Sequence, residues 1–248
     1  MRNYYLLFTL TCTITAASAQ APNPNAIVIG SPIGPIAPIF QAGVLDRDLN
    51  TFKLTGGASW EEANGLTGNA FFDQDWDKGY IRLENGQVAK DLSLKFNVYT
   101  NEIYLMRDSQ ILVVDVATIP IAEFGLFGTE KSIIFHRGFP AIGTHTTKTF
   151  YEVLATGKIT LLKLHSKKIV QRTDQNHITI KAISDAESWY AYDSKTNSMS
   201  EFRPNRNSLL EALPAYAADI RTVIEKDKLK LKNEADLAAL FNILNTKP

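Results

Sequence analysis

The chain has 248 residues, with 26 basic and 26 acidic side chains, a balance that gives no electrostatic reason to expect nucleic acid or an anionic membrane as partner. Its one cysteine, Cys12, falls in the leader described next. From residue 20 onward the sequence therefore offers no disulfide, thiolate chemistry or zinc–cysteine site.

Residues 1–19 read as a signal peptide: Arg2 supplies a positive start, Tyr4 to Ile14 an apolar run, and Ala17-Ser18-Ala19 a small-residue cleavage site before Gln20. The run is too short to span a bilayer, and no transmembrane segment is expected. Export to the periplasm or beyond follows as an expectation, with lipidation at Cys12 the alternative. Residues 20–43 form an arm with five prolines, which exclude a helix, interleaved with isoleucines that fit partial packing against the body.

Residues 44–203 read as an antiparallel β-rich domain. Gly79 to Glu84 runs into Asn85-Gly86, the preferred centre of a type I′ turn, which sets Leu83 opposite Val88. Val88, Leu92, Leu94, Phe96 and Val98 then share one parity, predicting a strand with one buried face. A second two-residue turn at Thr100-Asn101 sets Val98 against Ile103 and Phe96 against Leu105. Ile111 to Val114 reads as a strand covered on both faces. Phe150–Leu154 reads as a strand or short helix, and further strands are predicted at Ile159–Leu164, Ile178–Ile180, Trp189–Tyr192 and Met199–Phe202, with turns at Gly157-Lys158 and Ser194–Asn197.

From residue 204 to 248 the period becomes helical. Ser208-Leu-Leu-Glu211 has the form of a capping box, Pro214 interrupts, and Ile220, Val223 and Ile224 share one side. A charged link from Glu225 to Lys232 leads to a helix capped at Asn233. Its residues Leu237, Leu240, Phe241 and Leu244 form one apolar stripe, read as core. The fold class expected is α+β: an antiparallel meander, roll or sandwich with two to three C-terminal helices on an edge or one face.

The strings Phe72…Trp76…Gly79-Tyr-Ile-Arg-Leu-Glu-Asn-Gly and Leu92-Ser-Leu-Lys-Phe-Asn-Val-Tyr-Thr-Asn-Glu-Ile resemble a pattern in a β-rich family of secreted or periplasmic proteins of Bacteroidota. The resemblance resumes at Thr149-Phe-Tyr-Glu-Val-Leu…Gly157-Lys-Ile-Thr-Leu-Leu and in the C-terminal helices. It implies architecture and compartment, and it carries over no catalytic residue.

One stretch has metal-like spacing. Asp73, Asp75 and Asp77 alternate, and Glu84 is twelfth counting from Asp73, the ligand pattern of a calcium loop. The sixth position, which needs glycine, is Lys78, and the flanks are strand-like, so a solvated loop is the favoured reading and no metal or other cofactor is assigned. His136, His145, His165 and His177 show no metal spacing, and no serine-hydrolase or phosphate-loop motif occurs. Trp60, Trp76, Trp189, Tyr190, Tyr192 and Phe202 fit a carbohydrate or peptide groove but fit sheet packing better. The expected function is an exported cell-envelope binding or structural module, with an envelope protein or a small apolar or carbohydrate ligand as partner. The alternative is a periplasmic hydrolase using dispersed Asp and Glu residues; no catalytic residue is named for either.

Overall fold

The computed structural model describes residues 51–53, 66–116, 119–128, 131–173 and 179–247. The leader, the arm, Trp60 and His177 lie outside the described residues. Among these, strands β1 (Thr51–Lys53), β2 (Leu66–Thr67), β3 (Asp77–Leu83), β4 (Val88–Asn97), β5 (Glu102–Arg107) and β6 (Gln110–Val114) precede β7 (Ile121–Phe127), β8 (Ser132–His136) and β9 (Tyr151–Ala155). The chain continues through β10 (Ile159–Thr173), β11 (Thr179–Asp193), β12 (Ser198–Phe202) and helices α1 (Arg206–Ala212), α2 (Ala217–Asp227) and α3 (Glu234–Thr246). This is the α+β architecture expected. The strands form one open sheet in the order β1-β6-β5-β4-β3-β7-β8-β9-β10-β11-β12, with β2 alongside β11 in the one parallel pairing.

Local turn chemistry explains the register. Only Gly86 of Asn85-Gly86 has positive φ, and Leu83 N–H donates to Gln87 at 2.8 Å, closing a three-residue loop in place of the expected type I′ turn. Arg82 therefore faces Val88. A bulge then inserts one residue into β4 between Ala89 and Leu92, with Asp91 at φ 57°. The bulge switches parity, so Ala89 is buried on one side of it and Leu94 and Phe96 on the other, while Val88 is half-buried.

The β4–β5 loop has four residues, because Asn97 folds its side chain over the amides of Tyr99 and Thr100 at 3.0 and 3.1 Å. Phe96 thus pairs with Ile103 and Leu94 with Leu105. The slip from the expected register is two residues, so the buried face is unchanged. A true two-residue turn occurs instead at Asp108-Ser109, both at positive φ. In β6, Ile111 is 38% exposed, so this strand is not covered on both faces as expected.

Two large cores lie along the sheet among the described residues. In the first, Phe96 of β4 touches Phe124 of β7 and Phe135 of β8 with ring centroids 5.1 and 5.0 Å apart. Phe96 and Phe135 are three strands apart, roughly 14 Å along a flat sheet, so the sheet curls and covers its own apolar face. Arg137, 8% exposed, locks this curl: Nε donates to the carbonyl of Ile121, and Nη1 and Nη2 to those of Val116 and Ile119 at 2.6 and 2.7 Å.

The second core joins β9 to β12 with the helices. The stripe Leu237, Leu240, Phe241 and Leu244 is fully buried, against Leu161, Ala191 and Phe202 among others. Asn233 caps α3 by accepting from the Asp236 amide at 2.7 Å, as expected. Helix α1 instead starts at Asn205, whose side chain accepts from the Ser208 amide at 3.0 Å. Ser208 is the third helical residue and its Oγ reaches back to the Arg203 amide, so the capping-box reading began the helix too late. Residues 179–180 and 189–192 of the two expected strands belong to one 15-residue strand, β11, paired along its length with β10, while Ile178 lies outside the described residues.

Candidate functional site

The chemistry of the molecule concentrates where the two cores meet. Along β10 one face carries Ile159 and Leu161 into the helix core, then Lys163 and His165, and His165 sits edge-on to Phe72 and Phe135 of the first core, with centroids 4.8 and 5.9 Å away. Lys163 pairs in register with Glu152 of β9, and His165 with Glu187 of β11. Alternation of the pleat thus places two bases and two acids on one patch of sheet.

Glu152 is the centre of this patch and is 2% exposed. His165 Nε2–H donates to its Oε2 at 2.6 Å, and Lys131 Nζ donates to its Oε1 at 2.8 Å. Burial alone pushes the carboxyl up, but these two hydrogen bonds and the attached charges outweigh it and hold Glu152 below the usual glutamate range. Lys131 also reaches Glu234, the first residue of α3, at 2.6 Å. Desolvation acts to lower the Lys131 ammonium; Glu152 and Glu234 together raise it above the ordinary lysine value. Lys163 bridges Glu187 at 2.8 Å and Glu234 at 3.4 Å, with its Nζ 5.3 Å from the Trp189 ring centroid. The result is a closed network of three carboxylates, two lysines and one histidine that ties the residue ahead of β8, together with β9, β10 and β11, to the start of α3.

Beside the network lies a cavity of about 440 Å³. Strands β8 and β9 pair only at Phe135–Glu152 and His136–Tyr151. Past Glu152 a bulge inserts Leu154 into β9, and the cavity opens between Ser132–Ile134 and Val153–Leu154, with Ala235 and Ala238 of α3 as its third wall. Lys131 spans the mouth through its two carboxylates.

The residues singled out from sequence go elsewhere. Asp73, Asp75 and Asp77 stay together ahead of and at the start of β3, and the Asp75 amide donates to Asp73 at 3.2 Å. Burial, then the charges of Asp73 and Asp75, raise the Asp77 carboxyl. Glu84 follows the far end of the seven-residue β3, roughly 20 Å along the strand from Asp77, beyond the reach of a shared ion. Among the described residues, no group of three or more His, Cys, Asp or Glu is placed to hold a metal. His136 lies 3.7 Å from Glu123, which also accepts from Tyr80 at 2.9 Å and Arg82 at 2.8 Å. His145 stands in the loop after β8, with Tyr151 and Tyr190 at 6.5 and 6.3 Å. Tyr190, Tyr192 and Phe202 are buried, Phe202 stacking on Phe241 at 6.2 Å, while Trp76 lies near Lys95.

Sequence reasoning passed over Lys131, Glu152, Lys163, Glu187 and Glu234. One signal was present: Lys163 interrupts the run Ile159–Leu164, and a charge inside an apolar strand needs a partner. No helix among the described residues is long and apolar enough to cross a membrane. Comparison with protein-family models, with curated proteins and with solved structures gives no match.

Proposed function

We propose that the chain is an exported cell-envelope protein acting as a binding module through the cleft between β8 and β9. Export is supported by the leader pattern of residues 1–19. The observation that carries the binding reading is the state of Glu152. A glycosidase-type hydrolase needs one carboxyl raised so that it can donate a proton, facing a second that is ionised. Here the carboxyl at the cleft is held ionised by Lys131 and His165, and its neighbour Glu234 is committed to Lys131 and Lys163. Such a site presents a fixed anion at the cleft and lacks the raised carboxyl that a glycosidase-type proton donor needs.

The hydrolase reading draws on the 2.6 Å contact between His165 and Glu152, the shortest His–Glu contact among the described residues. That dyad is enclosed, with its imidazole edge-on to Phe72 and Phe135. The test is turnover of capped peptides and chromogenic glycosides by the purified protein. The binding reading expects the same background rate for wild type and Glu152→Gln. Turnover by wild type that Glu152→Gln abolishes would establish the hydrolase.

A further inference from the structure

We infer that the cleft between β8 and β9 takes an extended peptide, about three residues long, added as a strand between the parted edges of the sheet. The inference deepens the binding reading above and rests on it. Neighbouring strands in a sheet pair along their common length, and β8 and β9 stop doing so after two residue pairs. Each is engaged on its other side: Ser132–Ile134 with Phe127–Gly125 of β7, and Val153 and Ala155, on either side of the Leu154 bulge, with Leu162 and Leu161 of β10. The edges facing the cleft are left without a strand among the described residues. An unpaired strand edge is a template for another strand, and two edges facing one gap offer hydrogen bonds to both sides of an inserted backbone.

The dimensions agree. Ser132–Ile134 on one side and Glu152–Leu154 on the other are three residues each, roughly 10 Å of strand, and the cavity of about 440 Å³ falls in the usual range for a ligand site. The side-chain preferences follow from the walls. Ala235 and Ala238 leave room under α3 for a small central side chain, and Ile133 and Val153 supply apolar contact. At the mouth the network's three carboxylates are matched by Lys131, Lys163 and His165, so it sets no charge preference for a flanking residue. The Leu154 bulge fits the same role, because bulges end strand pairing and re-aim side chains beside binding sites.

The test is an amide-resolved NMR titration of the full mature chain with the capped peptide acetyl-Val-Ala-Lys-amide. Three comparison ligands or variants accompany it: the same peptide N-methylated at Ala, its Val-Ala-Glu analogue, and the protein variant Ala235→Leu, which narrows the cleft from an exposed helix position. The expected result is saturable shifts at the Ser132–Ile134 and Glu152–Leu154 amides. Binding should weaken roughly tenfold on N-methylation, which removes one backbone hydrogen bond, and should weaken with Ala235→Leu, which fills the cleft, while the Glu analogue should bind about as well as the Lys peptide. The N-methyl comparison is made on wild-type protein, so it holds even if the variant folds poorly. Intact peptide with no shift at these amides, or equal binding of the N-methylated peptide, overturns strand insertion. Peptide recovered cleaved overturns the binding reading itself.

Discussion

Phe96 and Lys95 are adjacent in β4 and face opposite sides of it. Phe96 is 3% exposed within the aromatic group of Phe124, Phe135 and Phe150. Phe96→Ala should cost about 3–5 kcal/mol, the range for emptying a buried aromatic site. Lys95 lies on the outer face, where it donates to the Gln74 carbonyl and stands 4.6 Å from the Phe71 ring centroid. Lys95→Ala should therefore cost about 0.5–1 kcal/mol, as for a partly exposed cation–π contact. Urea melts of the two variants measure both; a larger loss for Lys95→Ala would mean the core face has been assigned backwards. Lys228 offers the opposite sign. It is exposed and ends α2 in the left-handed conformation at φ 52°, where Leu229 N–H returns to the Ile224 carbonyl at 3.2 Å. A side chain in that conformation is strained and glycine is not, so Lys228→Gly should stabilise by up to about 1 kcal/mol in the same melts. No gain would mean that the helix does not end there.

At the level of elements, what could be read from sequence follows the range of the interaction. The apolar stripe and Asn233 cap of α3 are local features and came out as expected, because a helix declares its face within two turns. The buried face of β4 was legible around Leu94 and Phe96, but not around Val88, because the bulge at Asp91 has no sequence signature that distinguishes it from a straight strand. The turn at Asp108-Ser109 was missed because both residues tolerate left-handed backbone less conspicuously than Asn-Gly does. The candidate site was illegible for a different reason: Glu152, Lys131 and Glu234 come from three separated segments, and only the curl of the sheet and the docking of α3 unite them. The other end of α3 shows the same long-range logic. Asn245 accepts from the Ile159 amide at 3.0 Å and donates to the carbonyls of Thr156 and Ile159 at 3.1 and 2.8 Å, holding the β9–β10 turn. Gly157 is required under it, since a Cβ there would lie 2.3 Å from Asn245 Cγ. Asn245→Ala should cost about 2–3 kcal/mol for three lost bonds in a chemical melt. Gly157→Ala should cost less in the Asn245→Ala background than in wild type; strict additivity would show that the two do not meet.

For the whole molecule, the charge network and the buried phenols define a pH window. Burial raises Tyr80, Tyr151, Tyr190, Tyr192 and Tyr216, so the folded chain keeps these phenols protonated above the pH at which the unfolded chain releases them. Their contribution is full below pH of about 10 and is lost as pH rises beyond it. Glu152 has the opposite sign: held below the ordinary value, it stabilises above pH of about 4.3 and its contribution disappears as pH falls through the folded-state value. Stability measured by denaturant midpoint should thus fall on the alkaline side as the phenols ionise and on the acid side as Glu152 is protonated. A maximum confined to the alkaline limb would contradict the assignment.

The same glutamate decides between recognition and hydrolysis, and its ionisation is directly measurable. Carbon-13 NMR of the side-chain carboxyl of Glu152, assigned by comparison with Glu152→Gln, should show a titration inflection below that of an ordinary glutamate, because Lys131 and His165 hold the anion. An inflection displaced upward toward neutrality would be that of a proton donor, and would contradict the account of this cleft as a binding site.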